Sequence, residues 1–127
     1  MQVHLRKSLP YHIKTMKRYS LTLDLKNDPE LIQQYEEQHR AVWPEIIKSI
    51  KLSGIDNMEI YRFATRLFMI MEVNDKFSFQ EKAEADKKDA KVQEWENLMW
   101  NYQEALPGAA KGEKWVLMDK ILDLNEF

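Results

Sequence analysis

The chain has 127 residues, 44% hydrophobic and 31% charged, the composition of a single ordinary globular domain. Nineteen basic and 21 acidic residues give a net charge of −2, so no general positive field attracts nucleic acid. The absence of cysteine excludes disulfides, thiolate nucleophiles and sulfur-ligated metals, and we expect a cytoplasmic protein. The longest apolar run, Leu67–Val73, is too short to cross a bilayer, so no membrane partner is expected.

Residues 1–15 carry three basic side chains but lack the apolar segment and cleavage site of a signal peptide. We expect a leader or a disordered N-terminal extension there, and Met16 is a candidate natural start. An ordered arm packed on a partner is the alternative. Residues 16–127 are predicted to form one domain.

The first predicted strand spans Tyr19–Leu25, in which apolar and polar residues alternate. A helix should follow, because Asp28 is a good N-cap and Pro29 suits the first helical position. Pro44 disfavours helical geometry at Trp43, so this helix should bend or stop there.

One face of that helix carries an unusual set of side chains. Leu31, Tyr35, His39 and Trp43 recur every four residues, so they share a side that should face the interior. An imidazole titrates near neutral pH, and a phenol can hold or polarise a substrate oxygen. The face therefore indicates either a proton-transfer site or a core helix in which Tyr35 and His39 only bond each other.

A second helical segment should run from Glu45 to Gly54, burying Ile46, Ile47 and Ile50. Two further strands, 55–63 and 67–73, are predicted to pair as an antiparallel hairpin. A charged helical region in two pieces follows, with a solvated break over 86–90.

The second piece has a wide apolar face and should end at Pro107–Gly108, and a final strand is predicted over Trp115–Leu124. The apolar positions of this face are Val92, Trp95, Met99, Tyr102 and Leu106. The element order predicts a ferredoxin-like α+β fold, an antiparallel sheet with helices on one face. A second copy of so short a chain is the simplest cover for the other face, so we predict a homodimer.

Metal, nucleotide and serine chemistry have little support. Two of the three histidines lie in the leader, the three glycines are scattered, and no serine stands in an elbow motif, so we expect no metal and no cofactor. Aromatic rings beside one acid–base group suit a sugar, whose C–H face stacks on rings while rim groups bond its hydroxyls. A single histidine with a second polar group suffices for ring opening, in which the ring oxygen gains a proton and O1 loses one.

Several strings make the chain similar to the L-rhamnose mutarotase family from Lys17 to about Leu124. They are Tyr35-x-x-x-His39-x-x-x-Trp43-Pro44-Glu45, Asn57-Met58-Glu59-Ile60-Tyr61, the hairpin through Val73, and Trp95 with Met99. The resemblance implies a dimeric α/β barrel that interconverts the α and β anomers of L-rhamnose or L-fucose. It further implies that His39 is the proton donor and that Tyr35 and Trp95 contact the sugar.

Two positions depart from the family pattern. Met58 stands where the rhamnose enzymes look to have a tyrosine, and Glu96 stands where they have a second tryptophan. A carboxylate can accept from two adjacent hydroxyls, so these changes bear on sugar identity, with L-fucose the first candidate. Glu96 as a solvated helix residue is the alternative reading.

We therefore predict an aldose 1-epimerase acting on a 6-deoxy-L-hexose, with His39 catalytic. The predicted substrate-binding residues are Tyr35, Trp95, Glu96, Met58 and Trp43. Trp43 could equally be a staple on the second helical segment, and Trp100 a pocket wall or a dimer contact. The rival hypotheses are a cofactor-independent monooxygenase or haem-degrading protein of the same fold, and a non-catalytic sugar-binding dimer.

Overall fold

A computed structural model of the chain describes residues 16–127; the leader predicted over 1–15 lies outside them. The strands are β1 (Lys17–Leu25), β2 (Ile55–Phe63), β3 (Arg66–Val73), β4 (Gln103–Glu104) and β5 (Val116–Leu117). The helices are α1 (Pro29–Arg40), α2 (Pro44–Leu52), α3 (Phe79–Lys88) and α4 (Ala90–Trp100), and a short 3-10 turn covers Leu124–Glu126. None of the helices in the described part of the chain is long and apolar enough to cross a membrane.

The strands form one antiparallel sheet in the order β2-β3-β1-β4, with β5 also paired to β1. Buried side chains alternate along β3, and Leu21, Leu23 and Leu25 of β1 are buried on the same side, so one sheet face is apolar. Residues from α1, α2 and α4 pack on that face around Leu25 and Leu67. The predicted α+β sheet with helices on one face is confirmed.

The start of α1 follows the prediction, and so does its stop before Pro44, although the last helical residue is Arg40. Asp28 accepts hydrogen bonds from the backbone N–H groups of Glu30 and Leu31, as an N-cap does. The helix ends at Arg40, and Trp43 is extended at φ −55° and ψ 136°. Proline at position 44 excludes helical geometry at Trp43, and the chain uses residues 41–43 to turn into α2. In α2, Ile46 is buried as predicted, whereas Ile47 is 39% exposed, so its predicted burial was wrong.

The β2–β3 hairpin is confirmed, with Phe63 paired to Arg66 across the two-residue turn Ala64–Thr65. Ala64 has φ +52°, the left-handed conformation that such tight turns require and that a non-glycine residue rarely adopts. Gly54, after α2, has φ +99°, and a Cβ there would lie 2.8 Å from the Phe77 backbone nitrogen. Both the backbone conformation and the close approach therefore require glycine at position 54.

The predicted two-part helical region is present, but its break is one residue. Asp89 ends α3 and also caps α4 by accepting from the N–H groups of Lys91 and Val92. The prediction that α4 continues to Pro107 was wrong, since the helix ends at Trp100. Tyr102 and Gln103 then remain buried because the chain turns back to pair β4 with the end of β1.

The final strand is also much shorter than predicted. Only Val116–Leu117 pairs with β1, because β4 already occupies the edge beside Asp24 and Leu25. After Met118, whose N–H donates to the Ser20 carbonyl at 2.8 Å, the chain leaves the sheet. The C-terminal tail, residues 119–127, exposes large apolar side chains: Ile121 at 96%, Leu122 at 66%, Leu124 at 78% and Phe127 at 93%.

Candidate active site

A cavity of about 820 Å³ lies between the helices and the apolar face of the sheet. Its sheet-side wall comes from apolar residues of β1, β2 and β3, including Met58, Ile60 and Met69. Its helix-side wall comes from all four helices, and polar side chains line it at a few points only. The polar and aromatic lining residues used below are Tyr35, His39, Trp95, Glu96, Gln103, Lys114 and Trp115.

His39 and Tyr35 lie together at this wall, one turn apart on α1. Their rings are 4.2 Å apart between centroids, inclined by 36°, and the imidazole meets the Trp95 ring edge-on at 5.7 Å. A smaller cavity of about 410 Å³ is also lined by both residues. The imidazole is therefore half-buried, beside open space.

The contacts of His39 define its protonation. Nδ1 lies 2.9 Å from the Tyr35 backbone carbonyl, which can only accept, so Nδ1 carries the proton of the neutral ring. Nε2 is then the nitrogen with a free lone pair. Burial lowers the pKa of His39, and the hydrogen bond to the Tyr35 carbonyl only partly opposes this shift. The imidazole is thus a neutral base near pH 7.

Tyr35 and Gln103 place two buried polar groups at the same wall. Each side chain is 3% exposed, and neither Tyr35 Oη nor Gln103 Oε1 has a hydrogen-bond partner within residues 16–127. Burial raises the pKa of Tyr35 to about 12; the neighbouring Gln103 amide acts in the opposite direction, and the charge of Glu96 adds to the rise. The phenol therefore stays protonated and can donate a hydrogen bond to a ligand.

The two tryptophans predicted for the site lie in different places. Trp95 is 7% exposed and lines the cavity beside His39. Trp43 packs against the far side of that indole, edge-on at 5.1 Å, and does not line the cavity. Lys91 Nζ lies over the Trp43 ring at 5.5 Å, closing it from outside. Trp43 thus packs against Trp95 without lining the cavity itself.

Glu96 lines the cavity within an ion pair. Its carboxylate lies 2.7 Å from Lys114 Nζ, which also donates to the Glu96 carbonyl at 3.1 Å and lies 4.7 Å from the Trp100 ring centre. The Lys114 side chain is only 10% exposed, and burial lowers its pKa while Glu96 opposes that shift. The Glu96 side chain is 40% exposed, so it is partly solvated as well as paired with Lys114. Trp100 is not among the residues that line the cavity.

Strand β2 contributes residues to both cavities. Met58 lines the large cavity on the sheet side. Tyr61, which donates to Glu59 at 3.1 Å, lines the smaller cavity together with His39. Within the described residues no group of three or more His, Asp or Glu side chains could hold a metal ion.

Sequence reasoning missed Gln103 and Lys114. The apolar spacing predicts a helix through Leu106 that includes Gln103, and no sequence pattern marks a polar residue that a two-residue strand turns inward. Lys114 lies in a polar loop, 18 residues from the carboxylate that it pairs with. Only the three-dimensional fold brings both to the cavity.

The fold and the site together define a class: a small α+β protein with a largely apolar cavity, a neutral imidazole, a protonated phenol and a fixed charge pair. That set suits a small polyhydroxylated ligand and proton transfer without a metal.

Comparison with known proteins gives the family. A family model described as L-rhamnose mutarotase matches residues 18–124. An L-fucose mutarotase of Xanthomonas campestris pv. campestris is 45% identical over 114 residues, 88% of this chain and 91% of that protein. A UPF0734 protein of Dictyostelium discoideum is 37% identical over 118 residues, 87% of this chain and 92% of that protein.

The solved structure of an L-rhamnose mutarotase from Formosa agariphila shares the fold, with a TM-score of 0.64 and 17% identity, over 85% of this chain and 98% of that one. The chain belongs to the L-rhamnose mutarotase family, as its sequence motifs indicated. It is accordingly a carbohydrate epimerase, an isomerase, as predicted.

Proposed function

We propose that this protein interconverts the α and β anomers of a 6-deoxy-L-hexose with His39 as its acid–base residue. The observation that supports this most directly is the neutral imidazole held by the Tyr35 carbonyl, with Nε2 available beside the cavity. An anchored Nδ1–H fixes both the tautomer and the ring orientation, which a base needs before substrate binds.

The reaction needs two proton movements. Nε2 takes the proton of the anomeric hydroxyl as the C1=O1 bond forms and the C1–O5 bond breaks, and the imidazolium so formed gives that proton to O5, which becomes a hydroxyl. Both oxygens are bonded to C1, so one imidazole can reach either. Tyr35, protonated and without a hydrogen-bond partner in the described chain, supplies a donor to the sugar while the open aldehyde rotates about C1–C2 and closes again. One positioned imidazole contributes roughly 10²–10⁴-fold to such a step.

We propose L-fucose as the preferred sugar. The relative at 45% identity is named an L-fucose mutarotase, and Glu96 takes the place of a family tryptophan at the cavity wall. L-Fucose and L-rhamnose differ in configuration at C2 and C4 only, so a polar wall group that reads one of these hydroxyls can separate them. Lys114 holds the Glu96 carboxylate still, which favours a directional contact with such a hydroxyl.

Saturation-transfer NMR between the anomers tests the proposal. The wild type should accelerate exchange of L-fucose more than that of L-rhamnose. His39→Asn can still donate to the Tyr35 carbonyl but has nothing at the Nε2 position, so exchange should fall to the uncatalysed rate in a folded protein. Gln33→Ala, an exposed change on the same helix, should leave the rate unaltered.

Full exchange in His39→Asn would remove the imidazole from the mechanism. Calorimetric sugar binding without any faster exchange in the wild type would favour the non-catalytic alternative. A Soret shift on titration with haem would favour the haem-degrading alternative.

We also propose that the protein is a homodimer formed through the sheet face that none of the helices within residues 16–127 covers. Phe68 and Ile70 of β3 lie on that face, next to Tyr61 at 53% and Phe63 at 84% exposure on β2. A second copy of the same face is a self-complementary cover for these side chains.

A further inference from the structure

Gln103 has a position that its packing does not explain. Its side chain is 3% exposed, points from the two-residue strand β4 toward the helices, and lines the large cavity. An amide can accept two hydrogen bonds and donate two. Its oxygen has no partner among residues 16–127, although Gln103 lies close enough to the Tyr35 phenol to affect the pKa of that group.

An unpartnered buried amide is costly. Burying an acceptor without a hydrogen bond costs roughly 1–3 kcal/mol, so each such atom in a folded protein calls for an explanation, for instance a role in the active site. Here two of them, Gln103 Oε1 and Tyr35 Oη, lie at one wall of one cavity, beside the imidazole. A methionine or leucine would fill the same space without that cost.

Gln103 and Tyr35 together offer a hydrogen-bond donor and a hydrogen-bond acceptor to the same ligand group. The phenol is one donor, and the amide oxygen beside it is an acceptor, so together they match a hydroxyl group that donates to one atom and accepts from the other. Glu96 and Lys114 line the same cavity and pair with each other, and neither bonds to these two atoms.

We propose that Gln103 is a substrate-binding residue of this enzyme, forming with Tyr35 a two-atom site for one sugar hydroxyl. The inference rests on the proposed function and adds to it a residue that binds the sugar without taking part in proton transfer. It predicts opposite effects of one substitution on stability and on affinity, which a structural glutamine would not produce.

The test is Gln103→Met, which keeps the length of the side chain and removes its hydrogen-bonding atoms. We expect KM for L-fucose to rise roughly tenfold, the value of one lost hydrogen bond between neutral groups, with little change in kcat. We expect Tm to stay level or rise, because a buried unsatisfied amide has been replaced by an apolar group. Gln93→Met is the matched control: Gln93 is exposed and donates to the Asp86 carbonyl at 2.9 Å, so its loss should leave KM unchanged.

Adding L-quinovose to the sugar panel locates the hydroxyl, because it differs from L-fucose only at C4 and from L-rhamnose only at C2. An unchanged KM in Gln103→Met, or a lowered Tm that accounts for the lost activity through unfolding, overturns the inference. Failure of the proposed function is seen separately, as absence of faster exchange for every sugar with the wild type. Calorimetric titration of both variants with L-fucose then reads the affinity without any turnover.

Discussion

Burial fixes the protonation state of the two ring side chains of α1 at the cavity, His39 and Tyr35. It lowers the pKa of His39 so that the imidazole is neutral, and it raises that of Tyr35 so that the phenol keeps its proton. The sequence placed these two residues on one helix face, which is why they could be predicted. Glu96 could not be resolved in the same way, because its partner Lys114 comes from a distant loop.

The pH dependence of activity follows from His39. Its pKa in the folded protein lies below the ordinary value of 6.5, so the catalytic base stays neutral to lower pH than a solvated histidine would. Anomer exchange should be constant from pH 8 to below pH 6.5 and then fall as the imidazole gains a proton, measured by saturation transfer. A rate that increases on acidification would mean that the imidazolium is the active form.

The lowered pKa of His39 also makes the free energy of unfolding depend on pH. The unfolded chain binds the proton of this histidine at higher pH than the folded chain does, so the contribution of His39 is full above pH 6.5 and is lost as the pH falls through the lowered pKa. In His39→Asn this part of the pH dependence of the free energy of unfolding should be absent.

At the scale of elements, local signals were reliable where they were strong. Asp28 with Pro29 fixed the start of α1, and β2 spans the nine residues predicted for it. The ends of α4 and of the last strand were wrong because neither is decided locally: both depend on which part of the β1 edge is free for β4 and β5. Apolar spacing continues into Tyr102, but there it serves a buried turn and no longer a helix.

The hairpin turn offers a test at this scale. Ala64 has φ +52°, where an L-residue is strained by roughly 1–2 kcal/mol and glycine is not, although glycine costs about 0.5–1 kcal/mol of unfolded-state entropy. Ala64→Gly should therefore stabilise the protein by about 0.5–1 kcal/mol, measured by urea denaturation. Ala85→Gly, an exposed position inside α3, should instead destabilise it by about 1 kcal/mol. Equal signs for the two variants would contradict the strain at Ala64.

For the whole molecule, the α+β class follows from element order, since strands and helices of this sequence can bury their apolar faces in few ways. The cavity does not follow from that order. It exists because the helices cover the sheet without filling the space above Met58, Ile60 and Met69, a matter of side-chain packing that no spacing rule expresses.

A charged substitution tests whether the protein dimerises through the uncovered sheet face. Ile70→Lys places an ammonium in the centre of the proposed contact, so sedimentation should show monomers where the wild type shows dimers. Leu52→Lys is the control, because Leu52 is 73% exposed on α2, away from that face, and should leave the dimer intact. Monomeric wild type, or a dimeric Ile70→Lys, would place the contact elsewhere or remove it.

The C-terminal tail has a consequence for how the protein behaves on dilution. Four large apolar side chains between positions 121 and 127 stand in water in the isolated protomer, which favours self-association. An assembly that buries these side chains forms only from folded protomers, so it stabilises the folded state more at higher protein concentration. The apparent melting temperature should therefore rise with protein concentration. Exchange rates measured at very low enzyme concentration would then describe the isolated protomer, and rates measured at the higher concentrations used for NMR would describe the assembly.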